Sequence, residues 1–179
     1  MTHQDELSCW TAELSKQFSH LSKPQVAVLA IYSFGMVIVR RCGLNSVALF
    51  LAVLLGRKEG TVRQQLREFC YEVRQKRGCQ RQEIDVTTCF APLLRWLLSY
   101  WPSTEKRLAL ALDASSLRQN FVVLAISVVY RGCAIPVAWI VLPASEKGAW
   151  KPYWRALLAH LAGVVPEDWT VIVLTDRGL

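Results

Sequence analysis

Apolar residues along this chain are spaced for helices over roughly the first hundred positions and for strands thereafter. Pro24 suits the first turn of a helix that runs through Val26, Leu29, Ala30 and Val37, with Cys42-Gly43 as its stop. Asn45 is expected to cap a second helix, Ser46 to Leu55, which is apolar on nearly every side and therefore buried. Gly56 ends it. The polar turn Arg57-Lys58-Glu59-Gly60 leads into a third helix, for which Thr61 and Gln64 form a capping box. At about 100° per residue, Val62, Leu66, Phe69, Cys70 and Val73 fall on one apolar stripe of that helix.

The pattern changes near Trp101-Pro102-Ser103, which sets an expected boundary between a helical part, 1–103, and a sheet-containing part, 104–179. Leu108-Ala109-Leu110-Ala111-Leu112 is a continuous apolar run, as in a strand buried on both faces, and it is expected to end at Asp113. Phe121 to Tyr130 and Cys133 to Leu142 form a hairpin around the two-residue turn Arg131-Gly132. Pro136 cannot donate a ladder hydrogen bond, so its strand belongs at a sheet edge. A helix follows over about Ala149 to Ala162, with Trp150, Tyr153, Trp154, Leu157, Leu158 and Leu161 on its apolar face. Thr170 to Thr175 is a last strand, ending at Asp176-Arg177-Gly178. The expected class is α/β (α+β overall), with helices first and a mixed sheet after.

Composition narrows the reading. The 179 residues are 53% hydrophobic and 20% charged, which excludes a disordered or acidic low-complexity chain. Mean hydropathy of +0.24 raises the membrane question. Val26 to Val39 is shorter than the roughly 20 residues a spanning helix needs. Phe121 to Leu142 is long enough, but Arg131, Gly132 and Pro136 interrupt it, and two strands bury no charge there. The first residues, Met-Thr-His-Gln-Asp-Glu, are polar and acidic, unlike a secretory signal. A cytoplasmic location with no membrane partner is the expectation. The six cysteines contain no C-x-x-C spacing, so buried reduced thiols are expected and zinc is not.

The formal charge is +7, and Arg57 to Arg81 holds eight basic residues against three acidic ones. Arg63, Arg67 and Arg74 line one flank of the third helix, with Glu68 and Glu72 on the other side. A helix, a short Gly-containing turn and a basic amphipathic helix match a helix-turn-helix, which makes Arg57, Lys58, Arg63, Arg67 and Arg74 candidate DNA contacts. An ordinary helical hairpin with a solvated charged face has the same pattern. Among the acidic residues, Asp113 and Asp176 alone directly follow apolar strands. Two carboxylates at the carboxyl ends of neighbouring strands suit hard divalent cations, and a pair of such ions can activate a nucleophile and stabilise the leaving oxygen of a phosphodiester. The alternative is that both aspartates only cap the following turns.

Three pieces occur in one order: Leu110-Ala111-Leu112-Asp113-Ala114-Ser115, then Val128-Val129-Tyr130-Arg131-Gly132-Cys133-Ala134-Ile135-Pro136, then Val173-Leu174-Thr175-Asp176-Arg177-Gly178. Together they resemble the first part of the catalytic domain of prokaryotic insertion-sequence transposases of the DDE type, on a ribonuclease H-like fold. The resemblance covers about the last 73 residues, Arg107 to Leu179. It implies that Asp113, on the central first strand, and Asp176, after the fourth, are catalytic metal ligands. It further implies two Mg²⁺ (or Mn²⁺) ions in the complete enzyme, DNA (transposon ends and target) as partner, and homo-oligomers. Such enzymes cut DNA by metal-assisted water attack and then use the freed 3′-hydroxyl on target DNA. The family's third acidic residue, a Glu on a late helix, would lie downstream of Asp176, so a C-terminally truncated and catalytically inactive chain is expected. Glu146 is the nearest substitute among the residues in turns. A non-catalytic DNA-binding or regulatory module is the alternative. A haloacid-dehalogenase-like phosphatase would need a second Asp where Ser115 stands, and an esterase lacks its G-x-S-x-G.

Overall fold

The computed structural model describes residues 2–76, 82–146 and 150–175. The chain divides into two compact units, Met1–Asp85 and Val86–Leu179, upstream of the compositional change at Trp101. The helix that precedes that change belongs with the sheet because Phe90 and Leu94 are buried among the sheet's own side chains.

The first unit is helical: α1 (His3–Gln17), α2 (Lys23–Val39), α3 (Leu44–Leu55) and α4 (Glu59–Phe69). Thr2 and Asp5 form a reciprocal capping box at α1, and the Thr2 backbone N–H and hydroxyl, both donating to Asp5 Oδ2 at 2.8 Å, hold that carboxyl below its ordinary pKa. Pro24 lies in the first turn of α2, as its fixed φ favours. Val47, Ala48, Leu51, Val62 and Leu66 are fully buried and join α3 to α4. Each such Leu contributes about 1.5–3 kcal/mol of burial. Gly35 lies where α2 meets α3; a Cβ there would stand 2.7 Å from Val47 Cγ1.

Three local expectations need correction. Asn45 is inside α3, whose N-cap is Gly43. Thr61 is inside α4, whose N-cap is Lys58, and Gln64 donates to Glu68 at 2.7 Å, so no capping box forms there. Helix α4 also stops at Phe69, and Val73-Arg74-Gln75 makes a separate 3-10 turn. The Val73 N–H donates to the Glu83 carboxylate at 3.1 Å, an acceptor that replaces the helical one.

In the second unit α5 (Phe90–Leu98) precedes a sheet of β1 (Arg107–Leu117), β2 (Phe121–Tyr130), β3 (Cys133–Pro143) and β4 (Thr170–Thr175), with α6 (Lys151–Leu161) between the last two strands. The strand order is β3-β2-β1-β4, antiparallel throughout except for the parallel pair β1–β4. The fold is therefore α/β overall, helices first and a mixed sheet after. Pro136 stands on the edge strand β3, beside the register shift at Ile126/Ser127, where a missing N–H is tolerated. Arg131 and Gly132 take φ of 48° and 80°, the left-handed values that a two-residue hairpin turn demands.

Alternate residues of β1 and β2 (Leu108, Leu110, Leu124, Ile126, Val128) bury one face of the sheet against Phe90 and Leu94 of α5 and Trp154, Leu157 and Leu161 of α6. Along β4 the residues Val171 to Leu174 are 42–49% exposed. Among the described residues no single helix is long and apolar enough to cross a membrane; α2 and α3 reach that length only together, bent by 103°. The thiols of Cys9, Cys42, Cys70 and Cys133 are free, as expected, but exposed rather than buried, and Cys89 is intermediate. Cys79 lies outside the described residues.

Candidate functional site

Asp113 does not end its strand. Strand β1 continues to Leu117, with Asp113 opposite Ala125 and Leu117 opposite Phe121. On the other side of β1 the last described parallel pair is Leu112 with Thr175. β1 keeps its antiparallel partner past Asp113, and a solvated polar side chain on an open face is compatible with continued pairing. The period of two places Asp113 on the face opposite Leu108 and Leu110, and the residue is exposed.

Ser115, two residues on and therefore on the same face, donates its hydroxyl to Asp113 Oδ2 at 2.5 Å. One carboxylate oxygen is thus occupied and the other is left for a ligand. In the sequence Ser115 stands out only as part of a motif; its i, i+2 spacing on a strand is the signal for direct contact.

Asp176 lies outside the described residues. Its predecessor Thr175 is described, and Leu112 and Thr175, the residues that immediately precede the two aspartates, are partners in the parallel register. Exposed carboxylate and hydroxyl oxygens are the donors Mg²⁺ accepts while retaining much of its water, so the chemistry of Asp113 and Ser115 fits such an ion. Among the described residues no group of three or more His, Cys, Asp or Glu side chains is placed to hold a metal.

Glu146 is engaged elsewhere. Tyr153 donates its hydroxyl to Glu146 Oε2, and that bond raises the phenol's pKa above its ordinary value. The Trp150 indole N–H donates to the Glu146 carbonyl at 3.0 Å. Asp168 accepts from Lys106 Nζ at 2.6 Å, and this contact lowers its pKa while tying the approach to β4 to the start of β1.

The candidate basic residues are distributed over three places: the α3–α4 turn, α4 and the 3-10 turn after it. In the turn between α3 and α4, Gly56 takes φ 60° and the Arg57 N–H closes back on the Ala52 carbonyl at 2.9 Å, a Schellman ending. That turn exposes Arg57 and Lys58, with Arg57 also donating to Gln65 at 3.1 Å. On α4, Arg63 and Arg67 are exposed. Arg63 stands 3.9 Å from Glu59, a solvated pair worth little. Arg67 has no carboxylate within ion-pair distance among the described residues. Arg74 does not share their flank: it lies in the 3-10 turn and pairs with Glu72 at 2.7 Å. A stripe running from Val62 to Val73 requires a longer helix than the chain forms.

Comparison with protein-family models, with curated proteins and with solved structures found no match for this chain.

Proposed function

We propose that the chain is part of a DDE-type transposase: a helical DNA-binding unit followed by the metal-binding half of a catalytic sheet. The observation that carries this reading is the parallel pairing of Leu112 with Thr175, after each of which the sequence places an aspartate. The strand order β3-β2-β1-β4, with Pro136 at the edge, is also the order the family resemblance implies. Asp113 and Asp176 are assigned as ligands of Mg²⁺ or Mn²⁺, with two ions in the complete enzyme. Bound there, the metal would supply Lewis-acid activation of the attacking oxygen and charge stabilisation at the leaving one. This chain's own part is to present the Asp113 carboxylate from a paired strand, with Ser115 fixing its orientation through Oδ2.

The partner is DNA, both transposon end and target, and a cytoplasmic location and homo-oligomeric assembly belong to the same proposal. Helix α4 and the preceding turn would meet DNA through Arg57, Lys58, Arg63 and Arg67. Arg74, tied to Glu72 beyond the helix, is assigned a smaller share. A second reading, a DNA-binding module without catalysis, is favoured by the exposed basic residues around a closed α3–α4 turn. It requires nothing of Asp113.

Manganese titration followed in ¹⁵N spectra tests the first reading. Paramagnetic broadening should start at the amides of Asp113 and Ser115 and vanish in Asp113→Asn. Broadening centred elsewhere, or unchanged by that substitution, refutes the metal site and leaves only the second reading.

A further inference from the structure

Near the start of β1 the second unit carries a cleft of about 520 Å³, lined in part by Trp101, Thr104, Glu105, Arg107, Tyr130 and Arg131. Arg107 and Asp113 are six residues apart, about 20 Å along a strand, so this cleft is separate from the proposed metal site. Its walls are aromatic. The rings of Trp101 and Tyr130 are 4.9 Å apart at 45°, and Trp169 stands 6.4 Å behind Trp101. The Arg131 guanidinium carbon is 5.2 Å from the Tyr130 ring centroid, in cation–π range.

The charges in the cleft are unequal in what they have to offer. Glu105 accepts from Arg107 Nε at 2.9 Å and from its Nη2 at 3.3 Å, which lowers the carboxyl's pKa and neutralises both groups. Arg131 has no carboxylate within ion-pair distance among the described residues. It also occupies the left-handed position of the hairpin, where Asn, Asp or Gly fits with less strain. A residue held there against its backbone preference points to a use for its side chain. The cleft therefore sets the Trp101 and Tyr130 side chains beside a cation that has no carboxylate partner among the described residues.

We infer that this cleft takes one nucleotide of single-stranded DNA, the base stacking on Tyr130 and Trp101 and the neighbouring phosphate lying on Arg131. Bases within a duplex already have both faces covered, so ring surfaces of this kind select unpaired nucleotides. A peptide would be held chiefly through its backbone amides and would leave Arg131 without an anion. The choice of DNA over RNA rests on the proposed function, but neither α4 nor Asp113 contributes to the cleft, so failure of the metal site leaves single-strand binding here unaffected.

Fluorescence anisotropy of a labelled dodecathymidylate with the full chain tests it, with a duplex of equal length in parallel. Tyr130→Ala should weaken single-strand binding roughly 5- to 150-fold, from about 1–3 kcal/mol per stacked base, while Tyr130→Phe should stay within about twofold. Arg131→Asn suits the turn and keeps the hairpin, so it serves even where Tyr130→Ala fails to fold. It should weaken single-strand binding and lower the log–log salt slope by about 0.7, the value for one neutralised phosphate. Duplex affinity should be unchanged in each case. Wild-type single-strand binding by Arg131→Asn, equal losses on duplex and single strand, or no dodecathymidylate binding by the intact chain overturns the assignment.

Discussion

Gly35→Ala probes the helical unit where its geometry is tightest. Alanine is the better helix former by about 1 kcal/mol, so on an open face this substitution would stabilise α2. Here the new Cβ would meet Val47 Cγ1 at 2.7 Å and Leu51 side-chain carbons at 3.2 and 3.3 Å. Overpacking of that order costs about 1–3 kcal/mol, which leaves a net loss of about 1 kcal/mol. Val47 is fully buried, and Val47→Ala removes two methyl groups and leaves a small void, a loss of about 2 kcal/mol. In the double variant the 2.7 Å clash is gone, Leu51 can give the few tenths of an ångström its contacts need into the space vacated, and the alanine recovers its propensity. The pair should then cost about 1 kcal/mol rather than the roughly 3 of the separate losses, a coupling of about 2 kcal/mol. Denaturation combined with hydrogen exchange at the α2 and α3 amides reads this unit alone. Additive losses, or stabilisation by Gly35→Ala in the wild-type background, would refute the close approach of α2 and α3.

Replacing Arg63 and Arg67 together with Ala should weaken duplex DNA binding across all sequences and lower the salt slope by about 0.9 for each phosphate no longer neutralised; an unchanged slope returns α4 to an ordinary solvated face. Arg131→Asn should raise the melting temperature of the sheet unit by relieving a left-handed Arg, an effect of up to about 1 kcal/mol, and a lower melting temperature would contradict the turn assignment. The Asp168 pKa is depressed by Lys106, so that pair's stabilisation is present above the ordinary carboxylate value of 3.8 and is lost as pH falls through the lowered folded value. Lys106→Met should therefore narrow the difference in melting between neutral and strongly acidic pH, and an identical acid profile would contradict it. Tyr153 should ionise at higher pH in ultraviolet titration than in Glu146→Gln, because its acceptor there is a carboxylate.

Strand pairing is legible where a residue's chemistry leaves one option. Pro136 demands an edge, and Arg131-Gly132 demands a two-residue turn; both are met. The end of β1 is not legible from Asp113. A polar residue at the end of an apolar run reads as a stop when only one strand is considered. In the sheet, β2 continues to pair with β1 as far as Leu117, four residues past Asp113. Helix starts mislead for a related reason. Thr61 and Asn45 carry cap-forming side chains, yet the chain enters α3 and α4 earlier, at Gly43 and Lys58, because burying Val47 and Val62 fixes both helices. The flank joining Arg63 to Arg74 fails because periodicity cannot see the Glu83 carboxylate that captures the Val73 N–H. For the site, the spacing of Asp113 and Ser115 on one face is readable in principle. The Tyr130–Trp101 cleft is not, since it joins residues from before β1 to the far end of β2.

The proposed metal site takes both Asp113 and Asp176 as ligands of a shared ion. Electron paramagnetic resonance of Mn²⁺ binding to the wild type, Asp113→Asn, Asp176→Asn and the double variant tests it directly. Each single substitution should weaken binding roughly tenfold or more, and the double variant should lose little beyond either one, as expected for ligands of a shared ion. Wild-type affinity in either single variant, or losses that simply multiply in the double, would contradict it.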